Sequence, residues 1–210
     1  MAKQIEGVYE KVLECAKVEF LEKGFQEASL RTIAQNAETS TGSIYTRFSD
    51  KAGLFEALVL PVVDELKCWF SEEQEKFHLR ANDQKNDFSQ YSKDKNLSFI
   101  DYVYQNFDVF KLLISCSDGT IFSNFVHDIV EVDVHYTVKF IETTENDALV
   151  NGRASLPLLH ILSSAYYSGV FETVVHNMSK EDAVIYTSQL RRFFLQGWKD
   201  IFYRKGVDDD

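Results

Sequence analysis

A chain of 210 residues with 45% hydrophobic content is long enough for one large or two small domains and can bury a sizeable core. Its 33 acidic residues outnumber 22 basic ones, for a net charge of −11, which excludes a protein that coats nucleic acid generically and requires any DNA reader in the chain to localise its positive charge. Three widely separated cysteines, Cys15, Cys68 and Cys116, exclude a disulfide framework or a CxxC zinc site. No run approaches the ~20 apolar residues of a membrane helix, and Lys3, Glu6 and Glu10 interrupt any leader-like stretch, so a cytoplasmic protein without membrane association is expected.

In chain order, Val8, Val12, Leu13, Ala16 and Phe20 form a stripe that predicts a first helix over Ile5–Lys23. Gly24 is expected to stop it in a left-handed conformation, with Phe25 packing back. Ser29 can cap a short second helix whose Leu30, Ile33, Ala34 and Ala37 recur at helical spacing, and the small Ala34 allows a close, steep crossing. After a turn at Glu38 and Thr39, Ser40 can cap a third helix that buries Ile44 and Phe48 and turns Thr41, Ser43, Thr46 and Arg47 outward, where a DNA major groove could accept them. Asp50 is expected to cap a longer fourth helix. Lys51 at its start is disfavoured by the helix dipole, an anomaly that a nearby phosphate would relieve.

Thr32, Ile33, Ala34, Ala37, Ser40, Gly42, Ile44, Tyr45, Phe48, Lys51 and Leu54 together resemble the DNA-binding domain of the TetR/AcrR family of transcriptional regulators over about residues 8–58. The resemblance implies an all-α homodimer of about nine helices. A three-helix helix-turn-helix domain (1–55) would be followed by a larger helical effector-binding and dimerisation domain (56–210). It implies Thr32, Tyr45 and Lys51 at phosphates. Thr41, Gly42 and Ser43 lie at the reading helix's N-terminus, where base edges are reached, and Arg31, Thr46 and Arg47 suit either phosphates or bases. Glu38 and Thr39 depart from the family's usual glycine and valine; a non-glycine residue in left-handed geometry costs ~1–2 kcal/mol. Residues 1–60 carry seven basic and nine acidic residues, so this head is net −2, and its affinity for DNA should be modest and salt-sensitive.

Beyond the head, Leu54 to Phe70 continue an apolar helical face, with Pro61 expected to kink or break the helix near Leu58. Arg80–Asn96 is polar and reads as a surface linker. Leu97–Ile114 reads as one helix, apolar all round and therefore buried. A further helix is expected over Thr120–Thr144, a loop over Asn146–Ala154, a helix capped by Ser155 with Pro157 in its first turn, and a last helix from a Ser179/Asp182 capping box to about Arg204. The two long C-terminal helices invite a symmetry mate in a four-helix bundle through Leu162, Tyr166, Val170, Phe194, Trp198 and Ile201, which would place two heads on a palindromic double-stranded operator.

The 17 Phe and 10 Tyr invite an apolar ligand pocket, for which Trp69, Phe99, Tyr102, Phe107, Phe110, Tyr136, Tyr166 and Tyr167, with His127 as a polar contact, are the candidates. The expected function is a ligand-responsive regulator, a repressor released or modulated by a small hydrophobic effector. His127, Glu131 and His135 share one helix face and offer an alternative, a helical metal-binding protein or enzyme. No nucleophile elbow, Cys–His pair or glycine-rich phosphate loop points to catalysis or a cofactor. An effector-binding dimer with a degenerate head is the third reading.

Overall fold

A computed structural model describes the backbone of residues 2–81 and 88–203 and the side chains of 7–73 and 93–203. The described residues form nine α-helices and no strand: α1 Ala2–Glu27, α2 Leu30–Asn36, α3 Thr41–Phe48, α4 Lys51–Ala81, α5 Phe88–Gln105, α6 Phe107–Ser115, α7 Phe125–Thr143, α8 Leu156–Val175 and α9 Lys180–Tyr203. They divide into two compact units, residues 1–68 with 106–125, and residues 69–105 with 126–210.

In the first unit α1 lies against α2 and α6, and α2 crosses α3. The sequence stripe is the packed face: Val12, Ala16, Phe20, Ile33, Ala34, Ile44 and Phe48 are buried, and each large side chain so buried contributes ~1.5–3 kcal/mol. Gly24 breaks α1 at φ 73°, and Phe25 folds back onto Phe20 and Phe55 at ring separations of 6.0 and 5.5 Å. The amide of Phe25 donates to the Cys116 carbonyl at 2.9 Å, which ties the end of α1 to the end of α6.

Four expectations about the middle of the chain change. Leu97–Ile114 is not one helix but parts of α5 and α6, separated at Asn106 (φ −116°, ψ 32°). The segment looks apolar on every side because Phe99, Ile100 and Val103 are buried in the second unit and Phe110, Leu112 and Leu113 in the first. The polar 80–96 segment is not a linker over its second half: residues 88–96 belong to α5 and Asn96 is buried, while 82–87 lie outside the described residues. No break occurs near Leu58; α4 runs from Lys51 to Ala81 with Pro61 inside it. Pro61 faces solvent, and the buried Leu54, Phe55, Val59, Val62, Val63 and Leu66 outweigh the one hydrogen bond a proline removes. Finally α7 starts at Phe125 rather than Thr120. Thr120 Oγ1 bonds the Ser117 carbonyl at 2.7 Å and receives the Phe122 amide at 3.0 Å, holding the segment in turns that compete with helix.

In the second unit α5 runs along α9, and α8 packs on α9 closely enough that a Cβ on Gly169 would sit 2.9 Å from Leu190 Cδ2. Phe99 meets Tyr167 and Phe171 edge-on at 6.2 and 6.1 Å. A second cluster pins the 146–154 loop: Ala148 and Ala154 are buried with Ile141, Leu159 and Phe202, and Asn146 Nδ2 donates to the Phe202 carbonyl at 3.0 Å. The expected caps of the last two helices are present. The Leu158 amide donates to Ser155 Oγ at 3.3 Å, and at Ser179 the hydroxyl both receives the Asp182 amide (3.1 Å) and donates to its carboxylate (2.8 Å).

Candidate nucleic-acid interface and effector cavity

The helix-turn-helix is assembled by short polar side chains at three helix starts. Ser29 Oγ receives the Thr32 amide at 3.4 Å, Ser40 Oγ the Ser43 amide at 3.1 Å, and Asp50 Oδ1 the Gly53 amide at 2.7 Å; each such cap is worth ~1 kcal/mol. The buried carboxylate of Glu19 adds a bond that sequence reading missed: it accepts the Ser29 amide at 3.0 Å, so α1 fixes the entry into α2. Only the folded arrangement brings these two positions together, ten residues apart.

On α3, Ile44 and Phe48 are buried while Gly42, Tyr45 and Thr46 are exposed and Thr41, Ser43 and Arg47 half-exposed. Tyr45 stands out, with 54% of its surface free. Two of the polar side chains also bond along the helix: Thr46 Oγ1 donates to the Gly42 carbonyl at 2.8 Å, and the Arg47 guanidinium donates to Ser43 Oγ. A Cβ placed on Gly42 would meet only Ser40 Oγ, at 3.7 Å, so nothing inside the protein requires glycine there. On α2, Arg31 is exposed and Thr32 half-buried.

Lys51 is explained from within the protein. Its ammonium donates to the carbonyls of Gln26 (2.8 Å) and Ala28 (3.1 Å) and lies 4.9 Å from the centre of the Phe25 ring. It therefore serves the carbonyl-rich end of α1, where a cation is favoured, and no phosphate is needed to account for it. An ammonium has three donors, so one N–H remains for an external acceptor. Glu38 occupies left-handed backbone at φ 53°, as its position in the turn predicts, and its carboxylate pairs with Lys11 Nζ at 3.1 Å. Lys17 is held by Glu14 and Asp108. The cations carried by α2 and α3 are thus Arg31 and Arg47. Lys23 is exposed; the side chain of Lys3 lies outside the described residues.

In the second unit a cavity of about 150 Å³ gathers four of the nine aromatic and histidine candidates: Trp69, Phe99, Tyr166 and Tyr167. Phe70, Phe194, Leu195 and Trp198 complete its apolar wall, and Lys95, Asn96, Asp133 and Arg191 its polar one. Tyr166 donates to Asn96 Oδ1 at 2.9 Å, and Asn96 Nδ2 to Thr187 Oγ1 at 3.4 Å. Asp133 receives the hydroxyls of Ser163 (2.8 Å) and Tyr167 (3.1 Å). Burial first, and then the Asp133 carboxylate, push both phenols well above their usual range, so they stay protonated donors. Burial lowers the Lys95 ammonium, against the opposing pull of Asp133 and Glu73.

The other candidates lie elsewhere. Phe107 and Phe110 belong to the first unit, where Phe110 is core; Tyr102 and Tyr136 are half-buried and do not line the cavity. His127 is exposed beside Glu131, but the third member of that group is His160 of α8; His135 instead meets the Tyr136 ring at 5.4 Å. The residues expected at a dimer interface also shift inward. Val170 is 1% exposed, and Tyr166, Phe194 and Trp198 line the cavity, because α8 turns its 163–167–170 edge toward its own unit. Leu162 and Ile201 are half-buried. The exposed large apolar residues of these helices are Leu156, Leu158, Ile161 and Val175 on α8 and Ile185, Phe193 and Tyr203 on α9, with Ile161 at 62% and Phe193 at 76%.

Among the described residues no helix is long and apolar enough to cross a membrane. Residues 12–58 match the family model described as bacterial regulatory proteins, tetR family. A curated relative from Bacillus subtilis (strain 168), the uncharacterized HTH-type transcriptional regulator YvdT, is 38% identical over 71 residues, which span 32% of this chain and 37% of that protein, about a third of its length. Solved structures are similar over nearly the whole chain. NalD, described as the secondary repressor of the MexAB-OprM multidrug efflux pump in Pseudomonas aeruginosa, superposes with a TM-score of 0.62 at 17% identity, covering 93% of this chain and 97% of that one. A transcriptional regulator from Aquifex aeolicus VF5 gives 0.59 at 19% identity over 90% and 98%. At these identities the likeness is one of fold. The all-helical architecture, the capped helix-turn-helix and the match over residues 12–58 agree: the chain carries a helix-turn-helix domain similar to that of the tetR family of bacterial regulatory proteins, and beyond residue 58 its likeness to such regulators is one of fold.

Proposed function

We propose that the protein is a cytoplasmic, homodimeric, ligand-responsive repressor that reads a palindromic DNA operator with α3. The observation that carries this reading is the α3 surface, where Thr41, Gly42, Ser43, Tyr45, Thr46 and Arg47 face outward from a helix fixed by two buried side chains and a serine cap. Phosphate contacts fall to Tyr45, Thr32, Arg31 and the remaining Lys51 donor, and base contacts to the first turn of α3. With Lys11 and Lys17 already ion-paired, few cations remain for the duplex, so binding is weak in salt and depends on two heads acting together. The dimer forms through the outward stripe of α8, in which Leu158, Ile161, Ala165 and Ser168 recur at three- and four-residue intervals and Val175 follows seven residues on, with Ile185 and Phe193 of α9 beside it.

The effector enters the cavity around Trp69, Phe99, Tyr166 and Tyr167. Its wall is apolar with a few placed polar groups, which suits a small, largely hydrophobic molecule. Binding there would change the populations of head spacings and hence operator affinity. The test is a gel-shift series with genomic fragments at several salt concentrations, alongside sedimentation of the free protein. A fragment retained far above bulk DNA, by a dimeric protein, is expected; equal binding of all fragments would refute operator recognition, and a monomer would refute the dimer.

A further inference from the structure

We infer that His127, Glu131 and His160 form a binding site for one divalent transition-metal ion, with Zn²⁺, Co²⁺ or Ni²⁺ as its chemical class. His127 and Glu131 are four residues apart on α7 and so share a face. His160 reaches them from the first turns of α8, whose start is fixed by the Ser155 cap. One ligand atom from each residue lies within 4.8 Å of the other two. His160 Nε2 is already 3.1 Å from Glu131 Oε1, and the two imidazole rings stand 5.5 Å apart at 54°. Donors bound to zinc at ~2.0–2.2 Å sit about 3.4 Å from one another, so closing the widest pair takes side-chain rotation at an exposed site and no movement of either helix.

The chemistry narrows the ion. Two imidazoles and one carboxylate suit borderline metals and disfavour Mg²⁺ and Ca²⁺, which prefer all-oxygen shells. Ser164 Oγ, 3.5 Å from His160 Nδ1, flanks the ring on its far side and leaves Nε2 turned toward the cluster, the arrangement that orients metal-bound histidines. Three protein ligands leave further positions to water. A simple His160–Glu131 ion pair would give no reason for the second imidazole beside it. Because the site joins α7 to α8, occupancy tightens the second unit, and this holds whether or not the protein binds DNA.

Isothermal titration of ZnCl₂ and CoCl₂ into the full-length, untagged chain in a non-chelating buffer tests the inference. One ion per chain is expected, with visible Co²⁺ d–d absorption and a rise in melting temperature that EDTA reverses. His127→Ala and His160→Ala should each weaken binding by more than about tenfold, whereas His135→Ala, which removes an imidazole outside the cluster, should leave it unchanged. Absence of stoichiometric binding overturns the site. So does unchanged affinity in His160→Ala, loss of binding in His135→Ala, or half an ion per chain, which would mean a bridge between two copies.

Discussion

Gly42→Ala separates what the fold needs from what DNA needs. The added Cβ would lie 3.7 Å from Ser40 Oγ, an ordinary van der Waals contact, and no other atom outside the local backbone is within 4 Å. Alanine in place of a helical glycine stabilises by up to ~1 kcal/mol, which for a chain of this size raises the melting temperature by roughly 2–4 °C or leaves it level. In the complex the same methyl would occupy the closest approach of α3 to the duplex. An extra methyl forced into a close-packed contact costs ~1–3 kcal/mol, or roughly 5- to 150-fold in affinity. Thermal denaturation followed by circular dichroism and fluorescence anisotropy with operator DNA at fixed salt read the two effects separately. A variant that is as stable as the parent and binds operator equally well would refute the close approach of α3 and the role given to Gly42. Reduced stability would instead contradict the open space around this position.

Gly53→Ala should do the opposite: a Cβ there would lie 2.0 Å from the Phe48 carbonyl oxygen, a backbone atom that cannot rotate away, so a loss of ~2–4 kcal/mol or an unfolded head is expected in urea denaturation. Lys51→Ala removes two charge-assisted bonds to α1 carbonyls and the contact over Phe25, and a partly exposed site of this kind should lose ~1–2 kcal/mol of stability while operator affinity falls alike on all sequence variants; an unchanged melting temperature would show that the ammonium is not held by α1. Ser43→Ala should instead alter which operator variants are preferred, measured by competition among single-base changes. Asp147 is held below the usual carboxylate range, chiefly by its hydrogen bond from Arg153. A depressed folded-state value gives stability present above the unfolded pKa of about 3.9 and lost as pH falls through the lower folded one. Asp147→Asn should therefore reduce thermal stability at pH 7 and converge with the parent as pH falls through the lowered folded-state value, and an offset that stays constant with falling pH would contradict the assignment.

Local chemistry was legible in the sequence wherever one helix start or one helix face carried it. Ser29, Ser40, Asp50, Ser155 and Ser179 announce helix starts because a short oxygen-bearing side chain answers amides only three residues away. The stop at Gly24 follows from backbone sterics, the left-handed Glu38 from its place where the resembled family has glycine, and the buried stripe of α1 from a period of 3.6. The helix-turn-helix could therefore be read at residue level, with Tyr45, Thr46 and Arg47 placed outward by the same periodicity that buries Ile44 and Phe48.

Relations between distant segments were decided by the tertiary structure alone. Lys51 looked anomalous at a helix N-terminus until Gln26 and Ala28 carbonyls, more than twenty residues away, came within hydrogen-bond reach. His160 replaces His135 beside Glu131 because α7 and α8 lie side by side, and periodicity within α7 carries no information about a neighbour. The 97–114 run appeared apolar all round because two units draw on it in turn, and the polar stretch before it hides the cavity residues Lys95 and Asn96, which helix and burial had to be seen to reveal. Tyr166, Phe194 and Trp198 look the same in sequence whether they face a partner or their own cavity. An aromatic side chain is driven from water in either case, and only the rotation of α8 and α9 within the unit, set by contacts such as Gly169 on Leu190, assigns those rings to the cavity and leaves Ile161 and Phe193 outside.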